Sequence, residues 1–174
     1  VAEAARILEL DPAEIIVNLQ GDEPDMPGEL VDQVAGLLSA DPAASVATAC
    51  CALDNPQQYV DPSVVKVVSD AQGHAIYFSR AAIPHAREAG GHTLDRVPWQ
   101  NVRRHIGIYA YRCEYLQVLA QAPACKLETT EGLEQLRVLW MGDKIAVAEA
   151  CRSPGPGIDT VVDLERAIRD FSRK

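Results

Sequence analysis

The sequence predicts an α/β fold, from three observations. Over residues 1–51, short apolar runs rich in β-branched residues alternate with helical segments, which is the pattern of a βαβ unit. Two strand-like runs between residues 63 and 80 flank a tight turn and predict a β-hairpin. The 174 residues, 48% of them hydrophobic, are enough to bury one full core. We therefore expect a single domain over 1–174, with a hairpin and loop subregion at about 61–112.

The N-terminal segment predicts a helix, a strand, a helix and a strand in that order. Residues 1–10 carry apolar side chains at a helical period until an Asp-Pro pair interrupts it. The apolar run at 14–20 predicts a buried strand, and residues 27–38 place their apolar side chains on one helical face. Residues 44–51 form another short apolar run, which we expect to be a buried parallel strand.

The rest of the chain contains the hairpin and a further alternation of strands and helices. The hairpin turn contains Gly73, and residues 81–100 combine prolines, glycines and little periodicity, which is typical of a surface loop. The remaining predicted elements are a strand at 104–112, helices at 113–120 and 130–141, a strand at 144–150 and a terminal helix at 160–171.

Composition argues against several functions. A formal net charge of −9 offers no basic surface for nucleic acid or for an anionic membrane. The longest uncharged run, residues 42–53, is shorter than the roughly 20 residues that cross a bilayer. The five cysteines are odd in number and lack a metal-binding spacing, so we expect buried, reduced thiols. These features together predict a cytoplasmic protein without nucleic-acid or membrane partners.

Two acidic residues lie where a metal ion is often bound. Asp22 follows the first predicted strand directly, and open α/β sheets bind ligands beyond the carboxyl ends of their strands. Asp159 lies in a glycine- and proline-rich loop before the terminal helix. Each has an ordinary alternative, since Asp22 suits a solvated turn and Asp159 suits a helix cap. If the two carboxylates meet, they suit Mg²⁺, which takes one or two protein carboxylates and keeps water and substrate oxygens as its other ligands.

Basic residues are concentrated between positions 80 and 112 of this acidic chain. Arg80 ends the hairpin, and His105 and Tyr109 lie on one face of the following strand. Although isolated arginines are usually solvated and a histidine beside a strand is usually packed, this concentration favours a site for a carboxylate or phosphate. Most acidic residues of the helical run at 127–137 are expected to face water.

Five motifs, in this order and spacing, resemble the 3-deoxy-manno-octulosonate cytidylyltransferase family. They are Asn-Leu-Gln-Gly-Asp-Glu-Pro at 18–24, Tyr-Phe-Ser-Arg at 77–80, Arg-His-Ile-Gly-Ile-Tyr-Ala-Tyr-Arg at 104–112, Leu-Glu-Gln-Leu-Arg at 133–137 and Gly-Ile-Asp-Thr at 157–160. The resemblance covers almost the whole chain. It implies a Rossmann-like three-layer α/β fold with a mixed sheet and a homodimer. It also implies transfer of CMP from CTP to the acid sugar 3-deoxy-manno-octulosonate (Kdo), with release of pyrophosphate, for lipopolysaccharide synthesis.

The same resemblance implies roles for individual residues. Asp22 and Asp159 match the family's Mg²⁺ ligands and are the expected catalytic pair. The positions that surround the acid sugar in the family are matched by Gln20, Arg80, His105, Tyr109, Glu134 and Gln135. Glu134 and Gln135 are therefore expected at the substrate site and not simply in water.

The sequence departs from the family at its start. The family opens with a strand and a loop, Pro-Ala-Arg followed by Arg-Leu-Pro-Gly-Lys-Pro, that cradles CTP, and this sequence begins at Val1 inside a helical pattern without it. We therefore expect a chain cut from a longer protein and impaired in CTP binding on its own, because that loop supplies positive charge to the triphosphate. Two alternatives stay open: a cytidylyltransferase for another acid sugar, and a non-catalytic fragment that keeps the sugar pocket and the dimer surface.

Overall fold

The computed structural model describes residues 1–21, 23–87, 99–155, 157–158 and 160–171. In chain order its elements are α1 (Ala2–Ile7), β1 (Ile15–Asn18), α2 (Gly28–Ala40), β2 (Val46–Ala52), α3 (Gln57–Val60), β3 (Lys66–Ser69), β4 (Ala75–Ser79), a 3₁₀ turn (Trp99–Asn101), β5 (Arg103–Arg112), α4 (Cys113–Gln121), α5 (Lys126–Glu131), α6 (Leu136–Trp140), β6 (Ile145–Glu149) and α7 (Val161–Phe171). Within these described ranges, no helix has the length and apolar character needed to span a bilayer.

The ten-residue strand β5 lies at the centre of the sheet. β2 pairs antiparallel with one edge of β5 and parallel with β6 on its other side. The opposite edge of β5 is shared by two strands, since β3 pairs with residues 103–104 and β1 pairs with residues 109–112. β4 completes the hairpin with β3. The sheet therefore has a gap beside the middle of β5, between β3 and β1.

Helices cover both faces of this sheet. On one face, α2 packs against β2 and β5 through Leu30, Val34 and Leu38, which recur every four residues and so form one apolar stripe. On the other face, the segment around α6 packs against the sheet through Leu136 and Val138. This α/β/α arrangement around a mixed sheet confirms the predicted three-layer fold.

Several predicted elements are confirmed. β3 and β4 pair antiparallel as a hairpin, and Gly73 adopts a φ of +83° in its turn, where glycine meets no steric penalty. The strand predicted at 44–51 is β2, which is buried and parallel to β6. β1 and β2 run in the same direction, but β5 lies between them, so the βαβ unit is split. Part of the predicted loop at 81–100, residues 88–98, lies outside the described residues.

The prediction of one long helix, from the helical run at 127–137 and the pattern at 130–141, is wrong. The helix ends at Gly132. This residue has a φ of +64° and a ψ of +41°, and its N–H donates to the carbonyl of Glu128 at 2.8 Å. Such a left-handed glycine ends a helix without steric cost. The helical period thus continues across two short helices, α5 and α6, that are separated by the turn at Gly132.

The expectation of buried cysteines is correct for three residues and wrong for two. Cys50, Cys113 and Cys125 are buried, Cys51 is partly exposed and Cys151 is exposed. Cys151 lies two residues after the last strand, outside the helices and strands. All five thiols are free, as expected.

Candidate functional site

A cavity of about 960 Å³ opens beside the gap between β3 and β1. Its lining comes from the loops after β1 and α3, from the end of the hairpin, from β5 and from the turn between α5 and α6. The six residues that the family resemblance implies around an acid sugar all contribute to this lining: Gln20, Arg80, His105, Tyr109, Glu134 and Gln135. Residues up to 115 positions apart in the sequence therefore share one concave surface.

An irregularity in the sheet shapes the floor of the cavity. Thr48 of β2 is opposite Tyr109, but its neighbour Ala49 is opposite Ile106, so Gly107 and Ile108 have no counterpart on β2. Two extra residues preserve the alternation of a strand, and His105 and Tyr109 therefore stay on the same face of β5. The side-chain amide of Gln20 lies over Gly107, where a Cβ would be 3.5 Å from it, an ordinary van der Waals contact.

His105 is held in a neutral state by its surroundings. Its Nε2 lies 2.9 Å from Oγ1 of Thr48, and its ring is 5.1 Å from the Phe78 ring and 5.2 Å from the Tyr109 ring. Burial lowers the pKa of His105 to about 3. The side chain is therefore an uncharged imidazole at neutral pH, which suits hydrogen bonding to a neutral group more than attraction of an anion.

Two tyrosines continue the apolar floor of the cavity. The Tyr109 and Tyr111 rings stack at a centroid distance of 5.9 Å. Burial raises the pKa of Tyr109 well above 10, and burial together with the Glu134 carboxylate raises the pKa of Tyr111 to about 12. Both phenols consequently keep their protons and offer hydroxyl donors to a ligand.

Arg80 brings positive charge to a second part of the cavity wall. Its Nε donates to the carbonyl of Glu131 at 2.9 Å, and its Nη1 donates to the carbonyl of Pro62 at 3.0 Å. The Glu131 carboxylate accepts hydrogen bonds from the Arg80 backbone N–H and the Ser79 hydroxyl. Among the described residues, no carboxylate forms an ion pair with the guanidinium of Arg80. Its charge is thus oriented by neutral carbonyls and remains available to an anionic ligand.

Lys66 lies behind Arg80 and is completely buried, which sequence reasoning missed. Its Nζ donates to the backbone carbonyls of Asp61 at 2.8 Å, Val64 at 2.5 Å and Arg80 at 2.7 Å. Burial lowers the pKa of Lys66, while the three carbonyls use all three donors of the ammonium group. The side chain therefore ties the segment 61–64 to the end of the hairpin, and both border the cavity. The available signal was a charged residue inside the apolar run Val64–Val68.

The break at Gly132 brings Glu134 and Gln135 to the cavity. The two residues lie in the turn before α6, where the Glu134 carbonyl accepts from the Arg137 N–H at 3.0 Å. Glu134 is exposed, whereas Gln135 is buried and forms the N-cap position of α6. Arg137 also reaches the cavity, but Glu128 neutralises its charge through an ion pair.

The two predicted metal ligands, Asp22 and Asp159, lie outside the described residues. Neighbours of both are described: Glu23 and Gly157 each line the cavity. The loops that contain these neighbours also contact one another, since the Gly155 N–H donates to the Asp25 carbonyl at 3.4 Å. The described part of the chain holds no cluster of three or more metal-ligating side chains.

Comparison with known proteins identifies the family. The family model described as cytidylyltransferase matches residues 1–145. The chain belongs to the cytidylyltransferase family.

Curated relatives narrow the comparison within the cytidylyltransferases. The 3-deoxy-manno-octulosonate cytidylyltransferase of Acidovorax ebreus is 49% identical over 95% of this chain and 66% of its own length. The protein of the same name from Leptothrix cholodnii is 47% identical over 98% of this chain and 63% of its own length. The chain thus spans slightly less than two thirds of the length of these relatives.

Solved structures agree with this family. A structure described as CMP:2-keto-3-deoxy-manno-octonic acid synthetase complexed with CTP has a TM-score of 0.84 and 37% identity. The structural alignment covers 99% of this chain and 66% of the chain in that structure. A putative glucose-1-phosphate thymidylyltransferase from Bacillus anthracis shares the fold alone, with a TM-score of 0.51 and 15% identity over 96% of this chain and 58% of its own. The nucleotidyltransferase fold expected from the sequence is therefore confirmed.

Proposed function

We propose that this chain belongs to an enzyme that transfers CMP from CTP to Kdo and releases pyrophosphate, in the synthesis of lipopolysaccharide. The observation that carries the proposal is the convergence of six predicted acid-sugar residues on one cavity of about 960 Å³. The names of relatives at 47–49% identity support the same reaction. In this reaction a sugar hydroxyl oxygen bonds to the α-phosphorus of CTP, and the bond from that phosphorus to the pyrophosphate oxygen breaks.

Arg80 is the proposed ligand of the Kdo carboxylate. Two of its guanidinium donors are committed to the carbonyls of Glu131 and Pro62, which fix the plane of the group. The remaining donors suit a carboxylate oxygen, and a charge-assisted hydrogen bond of this kind is stronger than a neutral one. Around the rest of the cavity, His105, Tyr109 and Gln135 offer neutral groups that suit sugar hydroxyls.

Mg²⁺ is the proposed metal, with Asp22 and Asp159 as its protein ligands. Contact between the loop of Asp25 and the loop of Gly155 supports this pairing, because each loop contains one of the two aspartates. Carboxylate oxygens are the ligands that Mg²⁺ prefers. When bound, the metal would lower the pKa of the attacking hydroxyl and offset negative charge on the phosphate.

An assay of product formation tests the proposed reaction. The protein is incubated with CTP, Mg²⁺ and Kdo, and pyrophosphate release is measured together with the mass of the nucleotide sugar. We expect Kdo-dependent pyrophosphate release and a CMP–Kdo adduct. Parallel reactions with N-acetylneuraminate test for another acid sugar, and a higher kcat/KM with that sugar would overturn the choice of Kdo. Binding of Kdo without any turnover would instead support the alternative of a non-catalytic sugar-binding protein.

A homodimer in the cytoplasm completes the proposal. The helix α7 exposes Val161, Leu164 and Ile168 at helical spacing, with 73%, 46% and 57% of their surfaces exposed. An apolar stripe of this kind on a helix is typical of an association surface. Light scattering during gel filtration tests the state of the protein, and a mass equal to one chain at all concentrations would contradict the dimer. The free thiols fit a reducing compartment.

A further inference from the structure

The hydroxyl of Thr48 is a polar group inside an otherwise apolar buried strand. Thr48 is 0% exposed, and the irregularity between β2 and β5 begins at this residue. Its Oγ1 lies 2.7 Å from the Ile108 carbonyl, 3.3 Å from the Ile106 carbonyl and 2.9 Å from Nε2 of His105. A buried hydroxyl with this set of neighbours must place its one proton in a defined direction.

The proton count around this hydroxyl determines the tautomer of His105. The 2.7 Å distance makes the Ile108 carbonyl the better acceptor for the Thr48 hydroxyl proton. A carbonyl cannot donate, so only Thr48 can supply the proton in that hydrogen bond. The Thr48 oxygen is then left as an acceptor, and Nε2 of His105 must carry a proton and donate it. In a neutral imidazole, the proton on Nε2 leaves a lone pair on Nδ1.

The Nδ1 atom of His105 is accessible from the cavity. His105 is part of the cavity lining, and its Nδ1 has no hydrogen-bond partner among the described residues. Over the described residues, Nδ1 of His74 is the one fully buried side-chain nitrogen or oxygen without a hydrogen-bond partner. The Nδ1 atom of His105 is not in this class, although it also has no partner among these residues. The His105 Nδ1 atom is therefore reachable from the cavity, and its lone pair is free to accept a hydrogen bond.

We propose that Thr48 is a positioning residue that holds His105 in the Nε2–H tautomer, so that Nδ1 accepts a hydrogen bond from a hydroxyl of the acid sugar. The inference rests on the proposed function and deepens it, because it names which group of the sugar His105 recognises. A lone pair repels a carboxylate or phosphate oxygen, so the anionic end of the sugar is directed to Arg80. Burial also lowers the pKa of His105 to about 3, which keeps the ring neutral during the reaction.

A spectroscopic experiment tests the tautomer without any need for activity. The chain contains four histidines, and ¹⁵N-labelled imidazoles report by NMR which ring nitrogen is protonated. His105→Gln assigns the His105 signals. We expect a protonated Nε2 and an unprotonated Nδ1 that stay unchanged between pH 5 and 8. A proton on Nδ1, or an imidazolium in this pH range, would overturn the proposal.

Kinetics with Thr48 variants test the consequence for the substrate. Thr48→Val removes the acceptor for Nε2–H at nearly equal volume, and Thr48→Ser restores it. We expect Thr48→Val to raise the KM for Kdo by roughly 3- to 10-fold, the equivalent of one neutral hydrogen bond, with an unchanged KM for CTP. We expect Thr48→Ser to recover both the tautomer and most of the KM. Thr129→Val, at an exposed position of α5, is the matched control and should change neither.

The outcomes separate this inference from the proposed function. If Thr48→Val changes the KM for Kdo and CTP equally, or if Thr48→Ser fails to restore the tautomer, Thr48 has only a structural role and the inference is wrong. Urea unfolding of each variant identifies a loss of fold. If wild type shows the expected tautomer but does not turn over Kdo, the proposed reaction fails. The role of Thr48 toward His105 is then still supported by the NMR data.

Discussion

Arg80 and His105 line the same cavity but are held in opposite electrical states. Arg80 is oriented by two neutral backbone carbonyls and forms no ion pair with a described residue, so its positive charge is directed to the ligand. His105 is partly buried beside a hydroxyl and aromatic rings, and this desolvation lowers its pKa to about 3. The proposed ligand, an acid sugar, has the same division, because it has a carboxylate at one end and hydroxyls on several other carbons. The two walls thus differ in the way that such a ligand requires.

The supports behind these two walls differ as well. Behind Arg80 lies a buried charge, the ammonium of Lys66, which three carbonyls satisfy. Behind His105 lies a neutral hydroxyl, that of Thr48. A buried ion is costly unless each of its donors is paired, so the charged wall should be more sensitive to truncation than the neutral wall. The following predictions test this difference, from the largest expected effect to the smallest.

Lys66→Met should cause the largest loss of stability. The substitution removes three hydrogen bonds and leaves the Asp61, Val64 and Arg80 carbonyls unsatisfied in a buried setting. We expect the free energy of unfolding to fall by about 3–5 kcal/mol, as urea titration would measure it. The matched control is Lys126→Met, at an exposed position of α5, which should change stability by less than about 0.5 kcal/mol. Equal effects from both substitutions would mean that the buried hydrogen bonds of Lys66 do not stabilise the wall that carries Arg80.

Arg80→Met should cause the largest loss of activity. The variant removes the only proposed partner of the sugar carboxylate, and truncating one member of a charged, hydrogen-bonded pair costs about 2–5 kcal/mol. We expect kcat/KM for Kdo to fall on the order of 100-fold, with little change in the KM for CTP. Arg6→Met, on the exposed side of α1, is the control and should be neutral. A larger effect on CTP than on Kdo would assign Arg80 to the nucleotide.

Glu128→Gln tests the ion pair that neutralises Arg137, in contrast to Arg80, which has no ion-pair partner among the described residues. A hydrogen bond from Arg137 and the charge of that guanidinium hold the pKa of Glu128 below its ordinary value of 4.5. Because the folded-state pKa is lowered, the stability from this pair is present above about pH 4.5 and is lost as pH falls through the lower value. We expect Glu128→Gln to cost about 1–3 kcal/mol at neutral pH, and urea unfolding should show that the difference from wild type shrinks below pH 4.5. A difference that is constant with pH would mean that the Glu128 charge is unimportant.

Six residues of the cavity lining could be predicted because they lie in short motifs that resemble a known family. Gln20 follows a strand, Arg80 ends a hairpin and His105 lies near the start of a strand, so each motif is a local run of sequence that can be matched without the fold. Thr48 and Lys66 could not be predicted in this way, because their roles depend on contacts made after folding. Thr48 meets His105 across 57 positions of sequence, and β3 has a valine on each of its faces, so its alternation alone does not show where Lys66 lies.

The break in the α5–α6 segment shows the opposite situation, since its signal was present in the sequence. A glycine inside a helical period is either a tolerated interior residue or a helix end, and periodicity alone favoured the first interpretation. Leu133 and Leu136 continue the helical spacing after Gly132 and are both buried, so the apolar pattern itself gives no sign of the break. Asp22 and Asp159 lie outside the described residues, so their role as metal ligands stays a prediction.

Gly132→Ala should have the smallest of the expected effects and tests how the turn presents Glu134 and Gln135. The residue adopts a φ of +64°, and a Cβ would meet no atom within 4 Å, so the only cost is the left-handed backbone itself. We expect a loss of about 1–2 kcal/mol of unfolding free energy. Gly36→Ala is the matched control, because Gly36 is an exposed residue inside α2 with equal space around it, and there alanine should add about 0.5–1 kcal/mol. Changes of opposite sign in the free energy of unfolding would attribute the effect at Gly132 to its left-handed backbone. A stabilising Gly132→Ala would contradict the left-handed turn at the cavity wall.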